Sequence, residues 1–174
     1  IVGSAGVDTI NVDYGTDTIT NLGTGDVLTV NYYAMANTTL SGASPSWIPT
    51  SSTINHGILN IATATSTTTA TVDLSLIANT GTININASTA SGTTTLIGAG
   101  AGITNITGGA GADAITAKGA GSIVGGAGAD TLSVETTGAL SVSDSDGITI
   151  TVSSSTVSNI TTTSALTATT ITGG

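Results

Sequence analysis

The sequence predicts an all-β fold, a parallel β-solenoid of short strands, and three observations predict it. Threonine makes up about a fifth of the 174 residues, and Thr, Ile and Val favour extended backbone. The chain holds 24 glycines, a density that interrupts helices. Acidic residues recur at a spacing of nine, at Asp8, Asp17 and Asp26, with Ile10, Ile19 and Leu28 keeping step two places later.

Composition sets the remaining bounds. Ile, Leu and Val are roughly a quarter of the chain, above the ~20% below which disorder is expected. Phe is absent and Ala abundant, which suits a thin core of small aliphatic side chains. One basic residue, Lys118, against ten acids gives a net charge of −9, so nucleic acid and anionic lipid are excluded as partners. Without cysteine there are no disulfides or thiolate metal sites, and no apolar run approaches the ~20 residues of a transmembrane segment. The start at Ile1 lacks the basic and apolar stretches of a signal peptide.

The elements follow in order. Residues 1–30 hold three nine-residue blocks, GSAGVDTIN, VDYGTDTIT and NLGTGDVLT, beginning at Gly3, Val12 and Asn21. Residues 31–56 break the rhythm with Tyr32, Tyr33, Met35, Pro45, Trp47 and Pro49, and are expected to form an insert whose aromatic residues cover an edge or a neighbouring face. Residues 57–107 are Thr-rich and predict strands at Val72–Ile77, Thr82–Ala87, Thr94–Gly98 and Ile103–Thr107. Residues 108–134 contain GGAGADAIT from Gly108 and GGAGADTLS from Gly125, identical over six consecutive positions, with strands expected at 114–116, 122–124 and 131–134. Residues 135–174 continue with strands at 139–142, 148–152 and 157–161, and Ile171–Gly174 reads as the opening of a further block, as in a segment of a longer repetitive chain.

The blocks at Gly108 and Gly125 resemble the repeats-in-toxin (RTX) nonapeptide GGxGxDxUx, U being a large aliphatic residue. The block at Gly3 fits with Ser4 in place of one glycine, and the other two are degenerate. The stretch DTITNLGTGDVLTV at Asp17–Val30 resembles the interior of large RTX-type bacterial surface-layer and adhesin proteins. The resemblance implies a right-handed parallel β-roll in which Gly-rich turns hold calcium, a hard cation served by carboxylates and carbonyl oxygens. The implied ligands are Asp113 and Asp130 with the turns of Gly108, Gly109 and Gly111 and of Gly125, Gly126 and Gly128, then Asp8 with Asp26, and lastly Asp17.

Spacing supports this reading independently. Two nine-residue half-rungs make a turn of about 18 residues, so residues that far apart stack at the ~4.8 Å strand spacing. Asp113 with Asp130, and Asp8 with Asp26, should then share an edge, where carboxylates repel unless a cation lies between them. A metal-free roll with solvated Asp residues is the alternative. Asp17 faces Met35 at the next stacked position, and Thr104 and Ser122 fill the Asp position on the opposite edge of the central roll, which is expected to be empty. Asp144 and Asp146–Gly147 either continue the edge of Asp130 or form an Asx-type turn, the second being favoured.

No catalytic set emerges, and the chain is not expected to be an enzyme. His56 is the only imidazole, Lys118 lies in a turn, no second pair of carboxylates is apparent, and Gly98–Gly102 lacks the Gly-Lys-Ser/Thr of a phosphate loop. Outward positions at Thr9, Asn11, Thr18, Thr20, Thr29, Thr116, Thr131, Ser133, Thr149 and Thr151 resemble the Thr ladder of ice-binding, calcium-dependent β-solenoid adhesins, although β propensity alone also explains them. Sequons at Asn37, Asn86, Asn105 and Asn159 are expected by chance in so Thr- and Asn-rich a chain. The reading is a calcium-stabilised structural module of a secreted bacterial surface protein, in a surface layer or filament. An adhesin stalk repeat or an ice-binding solenoid are the alternatives. The implied partners are copies of itself, neighbouring modules and cell-surface polysaccharide.

Overall fold

The computed structural model describes residues 1–65, 67–136, 138–153, 160–162 and 170–172. Over these residues the chain is all β: parallel strands coil into a β-solenoid of about 7 turns, and no helix is present, so none is long and apolar enough to cross a membrane.

The strands form three parallel sheets. The first has four: β1 (Thr9–Val12), β3 (Val27–Val30), β6 (Ile54–Asn55) and β9 (Ala78–Asn79). The second has eight: β2 (Gly15–Ile19), β4 (Ala34–Leu40), β7 (Ile58–Thr63), β10 (Thr82–Asn86), β12 (Ile103–Thr107), β14 (Gly121–Val124), β16 (Leu140–Ser143) and β18 (Ile160–Thr162). The third has seven: β5 (Ser46–Trp47), β8 (Ala70–Asp73), β11 (Thr94–Ile97), β13 (Ala114–Ala117), β15 (Asp130–Val134), β17 (Ile148–Val152) and β19 (Thr170–Thr172).

Rung length varies where a uniform repeat was expected. Stacked residues are 18 apart at Asp8 and Asp26, 23 at Asn37 and Asn60, 24 at Asn60 and Asn84, and 17 at Asp113 and Asp130. The middle turns visit all three sheets and need the longer path. After β9 the first sheet ends and each turn has two strands: the third side shrinks to the short links at 98–102 and 118–120 that lead from the third sheet to the second, while the GGAGAD turns lie at the opposite corner, where second-sheet strands lead into third-sheet strands.

Period-two alternation places one face inward, as in β7, where Leu59, Ile61 and Thr63 are buried and Ile58, Asn60 and Ala62 are more exposed. Register then stacks like on like. Trp47, Val72, Leu96, Ile115, Leu132 and Ile150 form one buried column, and Ile61, Ile85, Ile106, Ile123 and Val142 another. Burying each such side chain contributes about 1.5–3 kcal/mol, so the thin core gains its stability by repetition.

Residues 31–56 do not leave the solenoid. They supply β4, β5 and β6, one strand to each sheet, and Trp47 is fully buried at the head of the third-sheet column. The departure from the nine-residue rhythm reflects the longer three-sided rung. Strand β8 stops at Asp73, short of the expected Ile77, because Asp73 Oδ1 accepts the Ser75 amide at 2.9 Å and turns the chain. The strand expected at Val157–Thr161 and the sequon at Asn159 lie partly or wholly outside the described residues.

Two ladders lock the rungs together. On the outer face of the second sheet, the side-chain amides of Asn60, Asn84 and Asn105 each donate to the Oδ1 of the Asn one rung earlier, beginning at Asn37, at 2.8 Å every time. At the adjoining corner Gly57, Gly81 and Gly102 lie one above another, because a Cβ on Gly81 would collide with the Gly57 carbonyl oxygen. Gly81→Ala is therefore expected to cost about 1–3 kcal/mol, roughly 5 °C of melting temperature, whereas Gly100→Ala, with open space around it, should change little. Thermal melts followed by circular dichroism compare the two.

Candidate metal centre

The pairing of Ala114 with Thr131 brings Asp113 over Asp130, as the spacing predicted. Both are buried, with 2% and 1% of their surface exposed. Asp113 Oδ2 accepts the Gly109 amide of its own turn at 2.5 Å. Its Oδ1 accepts the amide and hydroxyl of Thr94, one rung back, at 2.6 and 2.9 Å. Asp130 Oδ1 accepts the Asp113 amide at 2.8 Å, while its Oδ2 is buried with no hydrogen-bond partner.

Asp144 extends this edge. It is 6% exposed, and its Oδ2 closes the following turn by accepting the Gly147 amide at 2.7 Å. Its Oδ1 and the Asp130 Oδ2 press against the same point, for a Cβ at Gly125 would collide with both. The DSDG segment thus forms a side-chain-closed turn and also continues the acidic column. At its tip Asp146 accepts the Gly128 amide at 3.1 Å and the Ser145 hydroxyl at 2.6 Å, and Ser145 also donates to the Gly126 carbonyl.

The two identical GGAGAD turns are not identical in backbone. Gly126 and Gly128 take φ of 117° and 110°, in the left-handed region, but Gly109 and Gly111 do not. The second pair of glycines serves close approach: a Cβ on Gly111 would lie 2.5 Å from the Gly92 carbonyl carbon and 2.6 Å from the Thr93 nitrogen. The difference follows from what lies beneath, since the first turn stacks on the wider rung at Ala90–Thr93 and the second stacks on the first.

The other expected ligands fare differently. Asp8 and Asp26 do share an edge, with Asp26 Oδ1 accepting the Asp8 amide at 2.9 Å and Oδ2 the Gly23 amide at 2.7 Å. Asp8 accepts the Ser4 amide at 2.5 Å. Backbone amides already serve both oxygens of Asp26. Asp17, expected on the opposite edge with Met35 at the next stacked position, lies within β2 on the same face as buried Ile19 and pairs with Ala36.

The electrostatics of the Asp113–Asp130–Asp144 column are unbalanced. Lys118, the only basic side chain, is paired with Glu135 outside it. Burial pushes the Asp130 carboxyl up from 3.8 to about 6; the Asp113 amide opposes this, and the charges of Asp113, Asp144 and Asp146 reinforce it. At the exposed Asp146, the Ser145 hydroxyl and Gly128 amide lower the pKa. Among the described residues no group of three or more His, Asp or Glu side chains gathers to hold a metal by itself. A cation at this edge would draw on main-chain oxygens as well.

Two further features escaped the sequence reading. The outward threonines are divided among the sheets, and on the third sheet Thr116, Ser133 and Thr151 stack in one row and Thr131 and Thr149 in another, the rows being preceded by the apolar Ile97 and Ala114. All three tyrosines and His56 meet at one corner, at offsets set by rung length rather than by nine. The fold and site together define a β-solenoid with a buried acidic edge. Compared with protein-family models, curated proteins and solved structures, the chain finds no match.

The raised pKa of Asp130 has a definite sign. The folded protein holds a proton that the unfolded chain releases between the ordinary 3.8 and about 6. This stability is fully present below 3.8 and lost as pH rises through about 6; the lowered Asp146 acts in the opposite sense but only below that window. Chelator-treated protein should therefore melt higher at about pH 5 than at about pH 7.5, the full effect being worth up to about 3 kcal/mol. A lower melting temperature at the acidic end would contradict it.

Proposed function

We propose that this chain is a calcium-stabilised structural module of a secreted bacterial surface protein of the RTX type, working in a surface layer or surface filament. The observation that carries the reading is the buried Asp130 Oδ2, without a hydrogen-bond donor, in a column with Asp113 and Asp144 that no basic residue neutralises. An uncompensated carboxylate in low dielectric is costly, and a hard dication is the natural counter-charge.

The residues present fit such an ion. Asp130 would supply its unpartnered oxygen, Asp113 and Asp144 the neighbouring carboxylates, and the glycine turns at 108–112 and 125–129 their carbonyls. Calcium takes six to eight oxygens and tolerates irregular geometry, which suits mixed carboxylate and main-chain donors. When bound, it supplies charge neutralisation and a bridge between successive rungs. Folding of these rungs then becomes linked to calcium, at the ~10⁻⁴–10⁻³ M affinities of extracellular modules. The chain's own contribution is mechanical: uniform aliphatic columns and side-chain ladders make a stiff rod.

Calcium titration followed by circular dichroism and light scattering tests this. At about 10 mM calcium, some 100-fold above a Kd near 10⁻⁴ M, linkage is worth about 2.7 kcal/mol, a rise of roughly 5–10 °C in melting temperature. Asp130→Asn should abolish the rise, yet in chelator at neutral pH it should melt no lower than the wild type because a buried charge is gone. Calcium-driven assembly supports the lattice or filament role, and a calcium-stabilised monomeric rod that binds a defined surface turns the reading to an adhesin stalk. No calcium effect on the wild type would overturn the metal reading.

A further inference from the structure

We infer that the corner formed by Tyr14, Tyr32, Tyr33 and His56 is a carbohydrate-binding site for a neutral oligosaccharide. It is separate from the acidic column and does not rest on the calcium reading. The chain has only four aromatic residues besides His56, and the fold sorts them sharply: Trp47 is buried in the core, and all three tyrosines are exposed together. Register accounts for the gathering, because the pairings Gly15 with Ala34 and Met35 with Ile58 stack Tyr14, Tyr33 and His56 on three successive rungs. The Tyr32 and His56 rings stack face to face, 4.6 Å apart and 6° from parallel.

Tyr33 is the most telling of these residues. It occupies the third position of the turn Asn31–Ala34, closed by the Ala34 amide on the Asn31 carbonyl at 3.1 Å, with φ of 65°. Glycine or asparagine is favoured there, and a bulky side chain in the left-handed region is strained. The ring recovers nothing from the core, being 93% exposed. The fold therefore carries a strained residue whose side chain serves only the surface, a pattern associated with ligand sites.

The surroundings specify the ligand class. A hollow of about 500 Å³ is bounded by the three tyrosines with Asp13 and Asn31, and Asn31 donates to Asp13 at 2.6 Å. Tyr33 also borders a second hollow of about 500 Å³, which runs along the side-chain-free Gly57–Gly81–Gly102 column. There His56 and Thr80, 2.7 Å apart, add donor and acceptor groups. Aromatic faces beside a carboxylate–amide pair match a pyranose, which offers C–H faces and a rim of hydroxyls. The net charge of −9 and the presence of Asp13 disfavour polyanions, leaving neutral sugars.

The test is saturation-transfer NMR and calorimetric titration of the whole chain with cellohexaose, chitohexaose and mannohexaose. At least one should bind with Kd of about 1 mM or below, and Tyr33→Gly and Tyr14→Ala should each weaken binding about tenfold or more. Tyr33→Gly should melt at the same or a higher temperature, which separates lost recognition from lost folding. Leu76→Ala, an exposed apolar residue outside both hollows, should bind as the wild type does, and so should Asp130→Asn. Failure of all three oligosaccharides to bind, or undiminished binding by Tyr33→Gly, would overturn the assignment. So would a dimer in solution that Tyr33→Gly dissociates, since a second copy would then be the occupant.

Discussion

Parallel stacking in constant register is the constraint on which the rest of the structure depends. Each strand pairs with the strand one turn away, so every residue lies against its own equivalent at the ~4.8 Å ladder spacing. Chemistry that improves when repeated is thereby amplified. Aliphatic side chains form continuous columns, asparagines hand hydrogen bonds from rung to rung, and glycines allow corners to nest. Carboxylates are the exception, because repetition there accumulates repulsion.

How much of this was legible follows from which signals are local. The β class, the parallel stacking and the meeting of Asp113 with Asp130 and of Asp8 with Asp26 all follow from strand propensity and a short repeat whose glycines and aspartates stand at fixed offsets. The middle rungs were hidden because their length changes from 23 to 24 to 21 residues, so the Asn37–Asn60–Asn84–Asn105 ladder has no constant period to detect. Residues 31–56 looked foreign for the same reason, although Trp47 simply heads a core column above Val72. Asp17 shows the limit of the rhythm as a signal. It keeps the nine-residue rhythm, yet its block forms an ordinary strand, and the rhythm alone does not decide whether an aspartate enters a turn or a sheet.

Buried asparagines and buried aspartates occupy different corners of the solenoid. In the wider part, the buried Asn55 and Asn79 stack at the inner side of the first sheet, Asn55 donating to Asn79 at 2.8 Å and Asn79 to the Ala101 carbonyl at 2.8 Å. The turns of Asp113, Asp130 and Asp144 lie at the other corner, where second-sheet strands lead into third-sheet strands, and their carboxylates accept main-chain amides within and between rungs. The two solutions perform one task, satisfying backbone at a tight corner with a short polar side chain.

They differ in what repetition costs. An amide carries both donor and acceptor, so a column of Asn residues is neutral at any length and can pass hydrogen bonds along itself, although the Asn55 Oδ1 at the head of the buried pair has no partner. A carboxylate is acceptor-only and charged, so each added rung needs either fresh amides or a counter-charge. Asp26 has two amides and Asp113 has two amides and a hydroxyl, whereas Asp130 is left with one bonded oxygen and one bare one. The acidic rungs thus bury a carboxylate oxygen that has no donor, whereas the asparagine columns themselves add no charge. The stretch from Gly108 to Gly147 therefore stacks three buried carboxylates on one edge, with the asparagine-laddered rungs before it as the frame on which that stretch is built.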